Sequence, residues 1–139
     1  MAESQRNGGM EVIVLIFGLS GSGKTTLAES LNKILNFTRL NGDELRKEYN
    51  DWDFSIAGRI RQATRIKVHS NKSKHCLIDI IAPLEEQRTI ISPDYSIWMN
   101  TIHESEYKDT DELFEIPKKV DKIITSFDYD IDEIIKDIK

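Results

Sequence analysis

The sequence predicts an α/β domain with a parallel, roughly five-stranded sheet covered by helices on both faces. Three observations carry this. Strand-sized apolar runs alternate with helically spaced segments along the chain, an order that builds βαβ units rather than hairpins. The stretch 11–17 (EVIVLIF) runs apolar through to Phe17 and is rich in Val and Ile, as expected of a strand buried on both faces. The chain has 139 residues, which is one ordinary domain with no room for two. Residues 1–139 are therefore read as a single domain, with 1–10 a flexible lead-in.

Taken in order, Gly18 to Gly23 break the first strand. Thr25 to Leu35 then carry Leu27, Leu31, Ile34 and Leu35 at helical spacing. Residues 37–40 (FTRL) make a short second strand, and 43–49 a helical turn opened by Asp43. Residues 55–70 form a helix with Ser55 as N-cap and Ile56, Ile60, Ala63 and Ile66 facing inward. Cys76 to Ile81 is a further buried strand, followed by Pro83 at the start of a short helix that ends near Ile91. Tyr95–Met99 and Val120–Thr125 supply the fourth and fifth strands. Asp130–Ile138 closes the chain as an amphipathic helix with Ile131, Ile134, Ile135 and Ile138 in register. The polar, acidic stretch 103–117 reads as a loop.

Composition removes several classes. With 39% hydrophobic and 31% charged residues, neither disorder nor a fibrous repeat is indicated. No apolar run approaches the ~18 residues of a membrane span, and the N-terminus lacks the basic and apolar regions of a secretory signal. The single cysteine, Cys76, excludes a disulfide framework and a cysteine zinc site and fits the cytoplasm. The net charge of −5 is uneven: 13 basic against 12 acidic residues over 1–102, but 6 against 12 over 103–139. Within 57–74 there are six basic residues and no acidic one. A local basic stretch in an acidic chain points to a small anionic ligand rather than to nucleic acid; a solvated helix face is the plainer alternative.

The most specific signal is Gly18-Leu19-Ser20-Gly21-Ser22-Gly23-Lys24-Thr25, a full G-x-x-x-x-G-K-T/S match between a buried strand and an amphipathic helix, which is the context this motif requires. Glycines let backbone N–H groups curl around phosphate oxygens, and the helix N-terminus adds its partial positive charge. Lys24 reaches the β- and γ-phosphates, and the Thr25 hydroxyl is placed to ligate Mg²⁺. The candidate nucleotide contacts are Gly18, Ser20, Gly21, Ser22, Gly23, Lys24, Thr25 and Thr26. The fold class is accordingly the three-layer P-loop NTPase/kinase fold. A guanine-reading Asn-Lys-x-Asp is missing and the chain is too short for a motor, so a small kinase is the favoured class.

On the acceptor side, Asn41-Gly42-Asp43 follows the second strand and falls at the C-terminal edge of the sheet, where α/β ligand crevices lie. Asp43 there can accept the proton of an attacking hydroxyl, or serve simply as a helix N-cap. Arg46 lies one helical turn on, and Phe54, Arg59, Gln62 and Arg65 follow, the last three sweeping one side of a helix. Asp79, inside the apolar strand 76–81, would be costly unpaired. It is expected beside Thr25 and Mg²⁺, directly or through water, or else satisfied by backbone or an arginine.

These residues resemble the adenylylsulfate kinases (APS kinases). Gly18 through Ala28 is similar to their GLSGAGKTTLA, and Leu40-Asn41-Gly42-Asp43-Glu44-Leu45-Arg46 to LDGDxxR. Asp53-Phe54-Ser55 with Arg59, Gln62 and Arg65 resembles GFSxxDRxxNxRR. Ile81-Ala82-Pro83 with Arg88 resembles ISPxRxxR, and Phe114-Glu115-Ile116-Pro117 the YEAP segment. The resemblance implies transfer of the ATP γ-phosphoryl to the 3′-hydroxyl of adenylyl sulfate with Mg²⁺. Asp43 and Lys24 would be the catalytic pair, Arg46, Phe54, Arg59, Gln62 and Ile81 would hold the acceptor, and Thr25 and Asp79 would serve the metal. The partner implied is a small anionic nucleotide, with neither membrane nor nucleic acid; a homodimer is compatible with it. The chain departs from the pattern at Asn41, Gly58, Gln62, Ala82 and Glu85, and the lid is cut to a short acidic loop near 103–113. The alternatives are a small kinase for another nucleotide, polynucleotide end or hydroxyl acceptor, and a non-catalytic nucleotide-binding module.

Overall fold

The computed structural model describes residues 11–139; the flexible lead-in expected over 1–10 lies outside the described residues. Five strands, β1 (Val12–Gly18), β2 (Thr38–Asn41), β3 (His75–Ile80), β4 (Tyr95–Met99) and β5 (Lys122–Ile124), form one sheet in the order β2-β3-β1-β4-β5. Every pairing is parallel. Among the described residues six helices accompany them: α1 (Lys24–Leu35), α2 (Gly42–Tyr49), α3 (Ile56–Asn71), α4 (Glu85–Ile91), α5 (Lys108–Leu113) and α6 (Ile131–Ile138).

The three layers follow from the period-two alternation of the strands. On β1, Val14 and Ile16 pack with Leu27, Ala28 and Leu31 of α1 and Ile134 and Ile135 of α6. Ile13, Leu15 and Phe17 pack on the other face with Leu45 of α2, Ala63 and Ile66 of α3 and Ile91 of α4. Because both faces are covered, β1 must be apolar throughout, which is what made it legible. Chain order reverses direction across the sheet between β3 and β1, so the crevice opens at their C-terminal ends.

Several expectations shift. Ile34 and Ile56 are 51% and 56% exposed rather than inward. On α3 the inward stripe is Gly58, Arg59, Gln62, Ala63 and Ile66, polar at its N-terminal end because that end borders the crevice rather than the core. Ser55 does cap α3, its hydroxyl accepting from Gly58 N–H at 3.1 Å. The cap of α2 is Asn41, accepting from Glu44 N–H at 3.0 Å, not Asp43. Pro83 lies outside α4, whose N-cap is Leu84. The fifth strand is shorter than expected. The stretch 103–117 is not all loop: α5 forms there, with Asp109 and Asp111 in its first turn, where carboxylates complement the free N–H groups. Asp111 also accepts from the Ser105 hydroxyl at 2.6 Å.

Gly58 has a local reason. A Cβ at this position would overlap the Asp53 carbonyl oxygen, since the 51–55 turn folds tightly onto the first turn of α3. Gly58→Ala is expected to lower stability by about 2 kcal/mol through that overlap, seen as a lower thermal midpoint; an unchanged midpoint would show that the turn moves aside freely.

Candidate active site

The phosphate loop leaves β1 at Gly18 and enters α1 at Lys24. Gly23 is the N-cap, in the left-handed region at φ 98°, and supplies no side-chain cap, so the first N–H groups of α1 are left for an anion. Lys24 curls back, its Nζ donating to the Leu19 carbonyl at 2.9 Å. Burial lowers its pKa to about 8, against the opposing pull of Asp79 and Asp43. A half-desolvated ammonium with one neutral partner is poised for a phosphate.

Ser20, Gly21, Lys24 and Thr25 border the same cleft as Asp43, Arg46, Phe54, Arg59, Gln62, Asp79 and Ile81. Ser22 is fully buried, its N–H donates to the Leu19 carbonyl at 3.1 Å, and its hydroxyl has no hydrogen-bond partner among the described residues. Thr26 sits exposed in the first turn of α1.

Asp79 is 2% exposed and lies on the α1 side of the sheet, two positions beyond Leu77. The Thr25 hydroxyl donates to its Oδ2 at 3.3 Å, so the expected proximity holds. The arginine also expected as an alternative is present: Arg39 donates from Nε at 3.2 Å and from its terminal nitrogen at 3.1 Å, and Asn41 Nδ2 donates at 2.8 Å. Among the described residues no three acidic, His or Cys side chains cluster to hold a metal. The donor chemistry nevertheless suits Mg²⁺, since a hydroxyl and a carboxylate are hard oxygen ligands of the kind that share the ion with substrate phosphates. Thr25 has its oxygen available at the cleft; Asp79, already accepting from Thr25, Arg39 and Asn41, fits a place behind it.

On the opposite wall Asp43 opens α2, exposed at the cleft. Arg46 is 5% exposed, with its guanidinium 4.3 Å from the Phe54 ring centroid and a donor 2.8 Å from the Asp51 carbonyl. Arg59 is 3% exposed, 5.5 Å from the same centroid, and donates from Nε to the Phe54 carbonyl at 2.8 Å. The two arginines and Phe54 thus converge as expected. Gln62 fixes the helices to each other, its amide donating to the Gly42 carbonyl at 2.9 Å.

The basic stretch 57–74 divides. Arg59 alone of its cations reaches the cleft. Arg61 and Arg65 are held by Asp51 at 2.8 and 2.9 Å, and those hydrogen bonds keep the Asp51 carboxyl well below its usual range. Lys67 donates to the Ile91 carbonyl. The run is therefore divided between the cleft and internal partners rather than forming one anion-binding face. Three residues of the neighbourhood escaped the sequence reading. Arg39 could have been found from its alternation with Asn41 on a strand; Asp51 and Thr110 had no local signal. Thr110, buried on α5, accepts from Arg59 at 3.0 Å, with Asp109 4.0 Å away. Arg88 is likewise structural, donating to the carbonyls of Ala82, Pro83 and Glu115 and pairing with Glu85 at 2.9 Å.

A parallel sheet of this order with a glycine loop at the switch point and an acidic residue across the cleft defines a three-layer P-loop protein of the kinase fold. Solved structures agree on the fold. The Mycobacterium tuberculosis APS kinase CysC in complex with AMPPNP and APS superposes with a TM-score of 0.68 at 22% identity, covering 93% of this chain and 95% of that one. The Acinetobacter baumannii shikimate kinase in complex with shikimate gives 0.63 at 13% identity, covering 96% and 94%. The adenylylsulphate kinase family model matches residues 10–125, and the chain belongs to that family. It is similar to the adenylyl-sulfate kinase of Buchnera aphidicola subsp. Schizaphis graminum, 36% identical over 94 residues, covering 60% of this chain and 44% of the relative. It is also similar to adenylyl-sulfate kinase 3 of Arabidopsis thaliana, 36% identical over 86 residues, covering 55% and 41%. The chain spans less than half the length of these curated relatives. No helix among the described residues is long and apolar enough to cross a membrane.

Proposed function

We propose that this chain is an ATP-dependent phosphotransferase that moves the γ-phosphoryl group to the 3′-hydroxyl of adenylyl sulfate, working as one kinase domain in the cytoplasm. The observation that carries the reading is convergence. Lys24 and Thr25 occupy one wall of a cleft whose other wall holds Asp43, Arg46, Phe54 and Arg59. Phosphoryl transfer needs such an arrangement, because its catalysis is chiefly positioning and charge stabilisation.

In this reading Asp43 takes the proton of the acceptor hydroxyl as its oxygen bonds to the γ-phosphorus. The bond from that phosphorus to the bridging oxygen breaks, and ADP leaves with the electron pair. The loop N–H groups and Lys24 hold the phosphate oxygens as charge shifts toward the β-phosphate. Thr25 would hold Mg²⁺, with Asp79 behind it orienting the Thr25 hydroxyl, and the ion would supply charge neutralisation for the phosphates. Arg46 and Arg59 meet the acceptor's anionic group, and Phe54 offers an apolar face to its base.

ADP release from Mg·ATP with adenylyl sulfate, against other hydroxyl acceptors in parallel, tests this. Adenylyl sulfate-dependent ADP formation supports the reading. Turnover of another acceptor alone favours the general small-kinase alternative, which draws support from the Thr110 and Asp109 contacts on Arg59. ATP binding with no turnover of any acceptor leaves the non-catalytic module.

Arg59→Ala is expected to raise the acceptor KM about tenfold, the loss of one charged hydrogen-bond donor set. ATP affinity should stay within about twofold, since the Arg59 side chain hydrogen-bonds to Phe54 and Thr110, away from the phosphate loop. Steady-state kinetics with each substrate varied check this; equal losses on both sides would make Arg59 a structural residue only.

A further inference from the structure

We propose that Arg39 is a fixed cation that takes the metal-side acid out of direct Mg²⁺ coordination, so that nucleotide binding here depends only weakly on Mg²⁺. The proposal rests on the reading of the loop as a nucleotide site. The geometry that points to it is on the α1 face of the sheet. Strand register sets Asn41 beside Asp79 and Arg39 beside Leu77, and the alternation of side chains places Arg39, Asn41 and Asp79 on one face. The Arg39 guanidinium grips both carboxylate oxygens, Nε on Oδ1 and a terminal nitrogen on Oδ2, the planar fork that matches a carboxylate.

A carboxylate has about four acceptor positions. Arg39 fills two, Asn41 a third, and the Thr25 hydroxyl approaches the same Oδ2. For Asp79 to bind Mg²⁺ directly, the bidentate guanidinium would have to leave a site where the Asp79 side chain is 1% exposed. That exchange is unfavourable, because the displaced carboxylate and guanidinium would both lose their charged partner in a dry setting. Arg39 is itself only one-quarter exposed, with Glu29 3.9 Å away and mostly exposed and Glu44 acting on it from farther off, and its charge offsets that of the Asp79 carboxylate it grips. Both effects reduce the pull on a divalent cation. Asp79 then acts by orienting the Thr25 hydroxyl rather than as a ligand.

Calorimetric titration of the native chain with ADP, in saturating Mg²⁺ and in EDTA, gives a readout separate from activity. Mg²⁺ should strengthen ADP binding no more than about threefold in the native chain, and about tenfold or more in Arg39→Gln, where Asp79 is freed of the cation but keeps an amide donor. In Asp79→Asn the Mg²⁺ effect should match the native one within about twofold. A purely structural role for Arg39 would instead lower the melting temperature and weaken ADP binding equally with and without the metal, which overturns the proposal. So does a native Mg²⁺ effect of about tenfold or more that Asp79→Asn removes. If Arg39→Gln does not fold, the native and Asp79→Asn titrations decide between these outcomes. Absence of ADP binding to the native chain in either condition overturns the proposal together with the nucleotide-site reading; binding with the wrong metal dependence overturns the proposal alone.

Discussion

Lys24→Ala is expected to reduce ATP-dependent phosphoryl transfer by about 10²-fold or more while leaving the protein folded. Among the described residues the Lys24 side chain has a single hydrogen-bond partner, the Leu19 carbonyl, which also accepts from the Ser22 N–H, so its loss costs about 1 kcal/mol at most. The ammonium, by contrast, is half-buried at the helix start where the β- and γ-phosphates would lie. Initial-rate kinetics beside a thermal melt separate the two effects. Normal turnover in the folded variant would remove Lys24 from the machinery, and loss of folding would make it structural.

The same lysine gives a pH signature with two opposite signs. Its pKa is lowered from 10.5 to about 8 by burial, so between those values the unfolded chain binds more protons than the folded one. By linkage its contribution to folding stability rises over that window as pH increases. ATP affinity moves the other way, falling above about pH 8 as the ammonium that meets the phosphates is lost. ATP titrations across this range check it; affinity independent of pH would show that the phosphates do not need the Lys24 charge.

The parts of the fold that were legible are those where one physical demand acts alone. β1 is buried on both faces and so had to be apolar, and α6 carries four isoleucines on one stripe. The phosphate loop is legible for a chemical reason, since few other sequences let a backbone close around an anion. Where two demands compete, the reading slipped. On α3 the inward face also lines the cleft, so Arg59 and Gln62 hold positions that periodicity alone would give to the apolar Ile56. Asp43 and Asn41 are both good caps, and only the backbone decides that Asn41 does it. The basic run 57–74 looked like an anion-binding face because Asp51 and Asp53 lie outside it in sequence yet meet Arg61 in space. Long-range pairs such as Arg59 with Thr110 leave no local trace.

Asp43→Asn is expected to lower the rate of phosphoryl transfer about 10²- to 10⁴-fold, with ATP and acceptor affinities changed little. Asp43 lies in the first turn of α2 without capping it, so its carboxylate is spared for the cleft, and Asn41 keeps the helix start intact in the variant. It stands across from the loop, near enough to raise the Lys24 pKa, with Arg46 one turn along the same helix. An amide fits the same space but cannot take a proton, and it removes a negative charge beside Lys24. If Asp43 is the base, the loss falls on kcat and spares the acceptor KM, because the missing step occurs only in the transition state. If Asp43 only repels or orients the acceptor, KM changes and kcat survives. Single-turnover kinetics at saturating ATP distinguish the two, and near-native kcat in Asp43→Asn would rule out Asp43 as the proton acceptor.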